Sequence, residues 1–351
     1  MTLDPRGDLV ALFRAIVDIE SVSGNERELA DQIEQALRDC AHLSVLRDGD
    51  TVIARTALGR DQRVVIAGHL DTVPLAGNLP SWREGDLIYG RGSCDMKGGV
   101  AVMLATAVAL EAPSSDLTWI FYDHEEVEAS ANSLTRIAAT RPELLIGDFA
   151  VLMEPTSARV EGGCQGTLRF TVTTTGRAAH SARAWMGHNA IHDAADVLAR
   201  LGAHLPEEPE VDGLRYHEGL NAVAIEGGIA GNVIPDRCTI TVNYRFAPHR
   251  SIDEAKQYCR DVLAGYELAF TDAAAGARPG LDRPAAAAFL AAVGGEPSAK
   301  FGWTDVARFS ALGIPAVNFG PGDPSKAHAD DEFCPVDDLL TCYDSVLRWL
   351  R

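Results

Sequence analysis

Four apolar runs in this chain each hand over to residues that can bind a metal or move a proton. Val64–Gly68 is followed by His69-Leu-Asp71, Leu117–Tyr122 by Asp123-His-Glu125-Glu126, and Phe149–Met153 by Glu154. After Pro315–Phe319 come a Gly-Pro-Gly turn, His328 and the acids Asp330 and Asp331. A further loop, Gly90–Gly99, carries Asp95 just ahead of a helix. Imidazoles and carboxylates converging on one cleft form an oxygen and nitrogen donor set that suits zinc, with cobalt or manganese as substitutes. One shared carboxylate and two ligand sets would hold two ions about 3.5–4 Å apart.

Other chemistries find less support. Cys94 lies in the Asp95 loop, but no histidine partner for a thiolate can be named, so it reads as a small packing residue. The segment His124-Glu-Glu-Val-Glu128 ends in Glu, so the helix-borne His-Glu-x-x-His motif is absent. There is no Gly-x-Ser-x-Gly elbow and no phosphate-binding Gly-x-x-x-x-Gly-Lys loop. Gly90-Arg-Gly92 opens like a dinucleotide fingerprint, but Asp95 stands where its third glycine belongs.

The elements that must position these residues are those of an α/β protein. The four runs are almost continuously apolar, as strands buried on both faces are. Sites in open α/β sheets form at the carboxyl ends of such strands. Leu9, Leu12, Phe13, Ile16 and Val17 have helical spacing, and Met96–Leu110 reads as another helix. Ser23 with Glu26 has the form of a capping box for a helix through Leu29, Ile33 and Leu37. The middle of the chain changes character. Strands at Thr167–Thr173, Leu220–Glu226, Arg237–Phe246 and Glu267–Phe270, with helices at Asn189–Leu201 and Ile252–Ala264, give the order β-α-β-β-α-β. That order is ferredoxin-like. The expected architecture is a helix-covered mixed-sheet catalytic domain (1–165 and 279–351) with an inserted α+β lid and dimerisation domain (166–278). The Ala/Gly/Pro-rich patch Ala273–Pro284 is the candidate junction.

Composition narrows the partners. The 351 residues carry 50 acidic and 31 basic side chains, a formal net charge of −19. Such a chain is repelled by nucleic-acid phosphates and by anionic membranes. No apolar run nears the ~20 residues of a membrane span, and Met1–Asp8 has no apolar core of a secretory signal. Seven cysteines, none in a C-x-x-C pair, read as reduced thiols of a cytoplasmic protein.

The motifs Gly68-His-Leu-Asp-Thr-Val-Pro74, Gly90-Arg-Gly-Ser-Cys-Asp-Met-Lys-Gly-Gly99, Glu125-Glu126, Glu154-Pro-Thr156 and Ala327-His328 together resemble the dinuclear-zinc aminoacylase and carboxypeptidase family. Trp303–Asp323 sharpens the likeness toward the branch that removes a succinyl group from a diamino acid. The resemblance runs along essentially the whole chain. It implies two zinc ions, one on His69 and Glu154, the other on Glu126 and His328, with Asp95 bridging. It implies that Asp71 orients His69 and that Glu125 carries a proton from water to the leaving amine. Within the insertion, Gly176-Arg-Ala-Ala-His180-Ser181 resembles the lid motif whose histidine stabilises the oxyanion. Asn232, Arg245 and Thr304 fall in segments resembling substrate contacts. Arg245 has two roles open, a carboxylate clamp or a strand-face ion pair. His188 and His192 read as structural. The family also implies a homodimer through the inserted domain, with His180 reaching the partner's metal cleft.

Two departures stand out. Cys94 replaces the alanine of many relatives. Gly163-Cys-Gln-Gly166 lacks the arginine pair that some members carry before the lid, so no residue is named for the succinyl carboxylate. The rival readings are a deacetylase of acetylornithine or another N-acyl amino acid, a dipeptidase or carboxypeptidase, and a non-catalytic binding protein on the same fold. An intact base at Glu125 argues against the last.

Overall fold

The computed structural model describes residues 3–351. The chain divides into two compact units, one of Met1–Gly162, Pro279–Ser298 and Arg308–Arg351, the other of Gly163–Arg278 and Ala299–Ala307.

The first unit is built on a mixed sheet. Its strand order is Ser44–Asp48, Thr51–Arg55, Asp116–Tyr122, Arg63–His69, Phe149–Leu152, Ala316–Asn318 and Glu161–Gly162, with Ser298 at the far edge. Arg63–His69 runs parallel to both Asp116–Tyr122 and Phe149–Leu152, and Ala316–Asn318 is parallel to Phe149–Leu152. Asp116–Tyr122 and Phe149–Leu152 are buried at every position, as their unbroken apolar composition requires. The helix Gly98–Ala109 is apolar on all sides and buried through Val108, which is where such a helix is stable. The helix Leu9–Asp18 is capped by Asp8, whose side chain accepts the Ala11 N–H at 2.8 Å, and it buries Leu12, Phe13, Ile16 and Val17.

Asp95 lies ahead of the helix as expected, but Met96 and Lys97 do not yet belong to it. Asp95 and Met96 have non-helical backbone angles, and the regular helix begins only at Gly98. The Asp95–Met96 peptide is cis. The capping box at Ser23 is also absent. The helix Arg27–Arg38 starts after Glu26 with no side-chain cap, because both side chains are engaged elsewhere.

The second unit is a four-stranded antiparallel sheet in the order Gly219–Gly227, Arg237–Phe246, Gly166–Thr175, Leu268–Ala274. Alternate residues of its two central strands are buried. Leu168, Phe170, Val172, Ile240, Val242 and Tyr244 pack under the helices Ala190–Ala203 and Ile252–Val262. Each such side chain contributes about 1.5–3 kcal/mol relative to exposure. Asn189 caps the first helix, and Ser251 with Glu254 forms a capping box on the second.

The division departs from the expected boundaries at two places. Gly163–Gln165 and Ala299–Ala307 belong to the second unit. Cys164 and Ala277 exchange backbone hydrogen bonds at 3.0 Å. The Gln165 N–H donates to the Lys300 carbonyl at 3.2 Å, and Trp303 Nε1 donates to the Ala275 carbonyl at 3.1 Å. The bonds of Lys300 and Trp303 tie 299–307 to a unit from which it is distant in sequence. Among the described residues, no helix is long and apolar enough to cross a membrane.

Candidate metal centre

Strand register assembles the first unit's site. His69 pairs with Tyr122, and Ala67 pairs with both Ile120 and Leu152. The three parallel strands therefore end at one level, and the next residues, Leu70-Asp71, Asp123–Glu126 and Met153-Glu154, emerge on one side. Two glycines make room there. A Cβ on Gly99 would lie 2.3 Å from the Met153 carbonyl oxygen, and one on Gly320 would lie 2.2 Å from the same atom. Only glycine lets the helix and the later turn close on the segment that presents Glu154.

Asp95 faces two histidines with separate oxygens. Its Oδ1 is 3.1 Å from His69 Nε2, and its Oδ2 is 3.5 Å from His328 Nε2. His328 Nε2 is also 3.0 Å from Glu126 Oε1. Ligand atoms of His69, Asp95 and Glu126 all lie within 4.8 Å of one another. Glu154 is buried, and its charge acts on His69. A carboxylate whose two oxygens address two imidazoles is the geometry of a bridging ligand, so the donor set fits a pair of divalent ions.

The electrostatics agree with that geometry. Burial disfavours a charged His69, yet hydrogen bonds to Asp71 and Asp95 hold its pKa well above the usual value. Hydrogen bonds to Asp95 and then Glu126 push His328 up to about 10. Burial opposes ionisation of Asp95, but His328 and His69 outweigh it and keep the carboxyl well below its ordinary range. So much negative charge is gathered here that both imidazoles favour the cationic form, and a metal cation satisfies the same field.

Asp71, fully buried, organises this cluster. His69 Nδ1 donates to the Asp71 backbone carbonyl at 2.9 Å, with the carboxylate further away at 3.6 Å. His69 Nε2 is thereby left to face Asp95. The Asp71 carboxylate accepts the N–H groups of Glu125 at 2.9 Å and Glu126 at 3.0 Å, and the Ser23 hydroxyl at 2.7 Å. Burial raises its pKa, but His69 and those N–H groups lower it to about 2.

Two further buried carboxylates escaped the sequence reading. Glu332 accepts the N–H groups of Gly92 at 3.1 Å, Cys94 at 2.9 Å and Asp95 at 3.0 Å, and pairs with Arg91 at 2.9 Å. It holds the loop that presents Asp95. Glu26 accepts the N–H groups of Gly24 at 3.0 Å and His124 at 3.3 Å. It holds the turn before Glu125, where His124 adopts a left-handed φ of 61°. Ser23 and Glu26 thus serve the site instead of capping a helix. Asp330 and Asp331 do not join the cluster. Asp331 is exposed and pairs with Lys326 at 3.0 Å, while Glu332 beside them is buried. A signal for Glu332 existed in its place four residues after His328, but nothing in the sequence distinguishes a buried acid from two exposed neighbours. Cys94 is buried with its thiol donating to the Asp323 carbonyl at 3.1 Å, and burial pushes its pKa far up.

The remaining candidates lie in the second unit. Ala179-His180 pairs with Val233-Ile234, and the Ser181 N–H donates to the Asn232 carbonyl at 2.9 Å, which brings His180 and Asn232 together. Arg245 is partly buried on the strand Arg237–Phe246, where burial and then Arg169 lower its pKa. Thr304 is buried, and its carbonyl accepts the Cys164 thiol at 3.7 Å. His188 is exposed and pairs with Asp193 at 2.5 Å.

Comparison with known proteins finds relatives over nearly the whole chain. The model of peptidase family M20/M25/M40 matches residues 65–351. A succinyl-diaminopimelate desuccinylase of Corynebacterium glutamicum is 47% identical, covering 96% of this chain and 94% of its own. A Mycobacterium tuberculosis protein provisionally named for that activity is 52% identical, covering 99% of each chain. Among solved structures, a Staphylococcus aureus tripeptidase superposes with a TM-score of 0.80 at 20% identity, covering 100% of this chain and 98% of its own. A dinuclear metal-binding peptidase of Bacillus subtilis gives 0.71 at 18% identity, covering 97% and 96%. By the family match and these full-length relatives, the chain belongs to peptidase family M20/M25/M40 and is a metal-dependent hydrolase.

Proposed function

We propose that this protein hydrolyses the amide of N-succinyl-L,L-2,6-diaminopimelate to succinate and L,L-diaminopimelate. The observation that carries the reaction type is Asp95, with one oxygen toward His69 and the other toward His328. The substrate rests on the full-length likeness to the Corynebacterium enzyme.

His69 and Glu154 would hold one ion, Glu126 and His328 the other, and Asp95 both. Two zinc ions, with cobalt or manganese as substitutes, would acidify the attacking water and polarise the scissile carbonyl. Glu125 takes one proton from water as the water oxygen bonds to the carbonyl carbon. The carbon–nitrogen bond then breaks while Glu125 returns that proton to the departing nitrogen. The second water proton passes to the amine as succinate ionises. Asp71 supports this division, because it fixes the N–H groups of Glu125 and Glu126 separately on its two oxygens.

The second unit acts as lid and dimerisation domain in this reading. His180 Nδ1 accepts the Ala182 N–H at 3.1 Å, which leaves the proton on Nε2 as a donor for an oxyanion. The edge strand Gly219–Gly227 exposes Val223 and Ile225, and the helix beside it exposes Ile191 and Leu198. An apolar edge of this kind is suited to pairing with a second copy, through which His180 and Asn232 would reach the partner's centre. All seven cysteines are free thiols, which supports a reducing, cytoplasmic setting.

The test is mass-spectrometric detection of free diaminopimelate and succinate from the N-succinyl substrate with zinc-loaded protein. Faster release from N-acetylornithine or another N-acetyl amino acid would favour the deacetylase reading instead.

A further inference from the structure

The second unit contains a cleft of about 630 Å³ lined by Arg177, Ala178, Ala179, His180, Arg183 and Met186. In a chain of net charge −19, this lining holds two guanidinium groups and a histidine but no carboxylate. Arg177 is anchored, since its Nε donates to the Met186 carbonyl at 2.8 Å. Arg183 is exposed on the short turn Ser181–Met186 at a non-helical φ of −130° and ψ of 46°. Among the described residues, none forms a hydrogen bond or ion pair with its guanidinium. His180 lies three positions earlier, with Nδ1 occupied by the Ala182 N–H.

Two cations facing one cleft, one of them without a protein partner, make a receptor for an anion with planar oxygens. Their nearness to His180 limits which anion. In an N-succinyl amide, two methylenes separate the scissile carbonyl from a terminal carboxylate. A donor for the oxyanion and a receptor for that carboxylate must therefore be near neighbours, as His180 and Arg183 are on one turn. The segment before the lid, Gly163-Cys-Gln-Gly166, offers no arginine for this purpose.

We propose that Arg183, with Arg177 beside it, receives the terminal carboxylate of the substrate's acyl group and so selects succinyl over neutral acyl chains. The proposal rests on the desuccinylase reading given above.

The test compares N-succinyl-diaminopimelate with its N-succinamoyl analogue, which keeps the shape and replaces the carboxylate by an amide. The native enzyme should prefer the succinyl compound. Arg183→Gln should lower kcat/KM on it about 10–100-fold, the scale of one charge-assisted hydrogen bond, mainly through KM. The same variant should change kcat/KM on the succinamoyl analogue less than about threefold, and zinc content should stay unchanged. Arg183→Lys should recover part of the preference, because it restores charge without the planar fork. Equal losses on both compounds would overturn the proposal, since Arg183 would then act on the lid and not on the acyl charge. Unchanged hydrolysis of the succinyl compound by Arg183→Gln would also overturn it, while leaving the desuccinylase reading intact. Hydrolysis of the N-acetyl but not the N-succinyl compound by the native enzyme would overturn that reading, and the acyl-carboxylate role of Arg183 with it.

Discussion

Asp71 and Glu126 are joined through the main chain, with Asp71 Oδ2 accepting the Glu126 N–H at 3.0 Å. The same carboxylate takes the Glu125 N–H on its other oxygen at 2.9 Å, and the Asp71 carbonyl orients the His69 ring. One buried residue thus orients the His69 ring and fixes the backbone of Glu125 and Glu126. Asp71→Asn keeps the volume but loses one acceptor oxygen and the charge. Metal affinity should fall about 10–100-fold, the usual effect of losing such a supporting contact. Competition with a chromophoric chelator measures it; unchanged affinity would mean that the ligands hold themselves.

Glu125 and Glu126 should separate by readout. Glu125→Gln is expected to lower kcat by at least about 10²–10⁴-fold with zinc content near native. Glu126→Gln is expected to lower zinc content. Metal analysis of both variants beside their turnover decides the assignment, and the opposite pattern would reverse the pair.

Chelation should abolish hydrolysis, and zinc or cobalt should restore it. Because His69 and His328 must give up protons to become ligands, loading should release protons and weaken toward acid pH. Calorimetric titration of the chelated protein with zinc, in buffers of different ionisation enthalpy, counts those protons.

Glu332 should matter for stability as well as for the centre. Its removal strands Arg91 and three N–H groups of the Asp95 loop. Breaking a buried pair from one side typically costs about 3–5 kcal/mol. Glu332→Ala should therefore show a large drop in denaturant midpoint, and Glu332→Gln, which keeps an acceptor, a smaller one.

Asp116, at the start of the strand whose other end leads to Glu125 and Glu126, supplies a pH signature. Its carboxylate accepts the Thr56 hydroxyl at 2.8 Å and the N–H groups of Leu58, Gly59 and Arg60 at 2.8, 3.0 and 3.0 Å. Burial opposes ionisation, but these donors and Arg63 lower its pKa below the usual value. The unfolded chain therefore binds the proton more readily than the native one. The stabilisation is whole above the unfolded pKa of about 3.9 and is lost as pH falls through the lower native value. Asp116→Asn should cost about 1.5–3 kcal/mol at pH 7, as hydrogen bonds to a charged group do. The gap from native should narrow as pH drops below about 4. Urea unfolding of both proteins across that range measures the narrowing.

His69, Asp71, Glu125, Glu126 and Glu154 could be singled out because each follows an unbroken apolar run, and runs such as Asp116–Tyr122 and Phe149–Leu152 are strands buried at every position. The alternation in Arg237–Phe246 and Gly166–Thr175 likewise determined a sheet with one covered face. Ser23 and Glu26 show where local pattern misleads. Their spacing is that of a helix cap, yet Ser23 bonds Asp71 and Glu26 bonds the His124 N–H. Glu332 and Asp331 are adjacent acids, one buried against the Asp95 loop and the other exposed beside Lys326. The stretch Ala299–Ala307 joins the second unit through bonds to Gln165 and Ala275 that no window of sequence contains. Strand identity is written in the polarity of consecutive side chains. Which carboxylate is buried depends on where unpaired backbone N–H groups of other loops come to point, and that direction exists only once the chain has closed on itself.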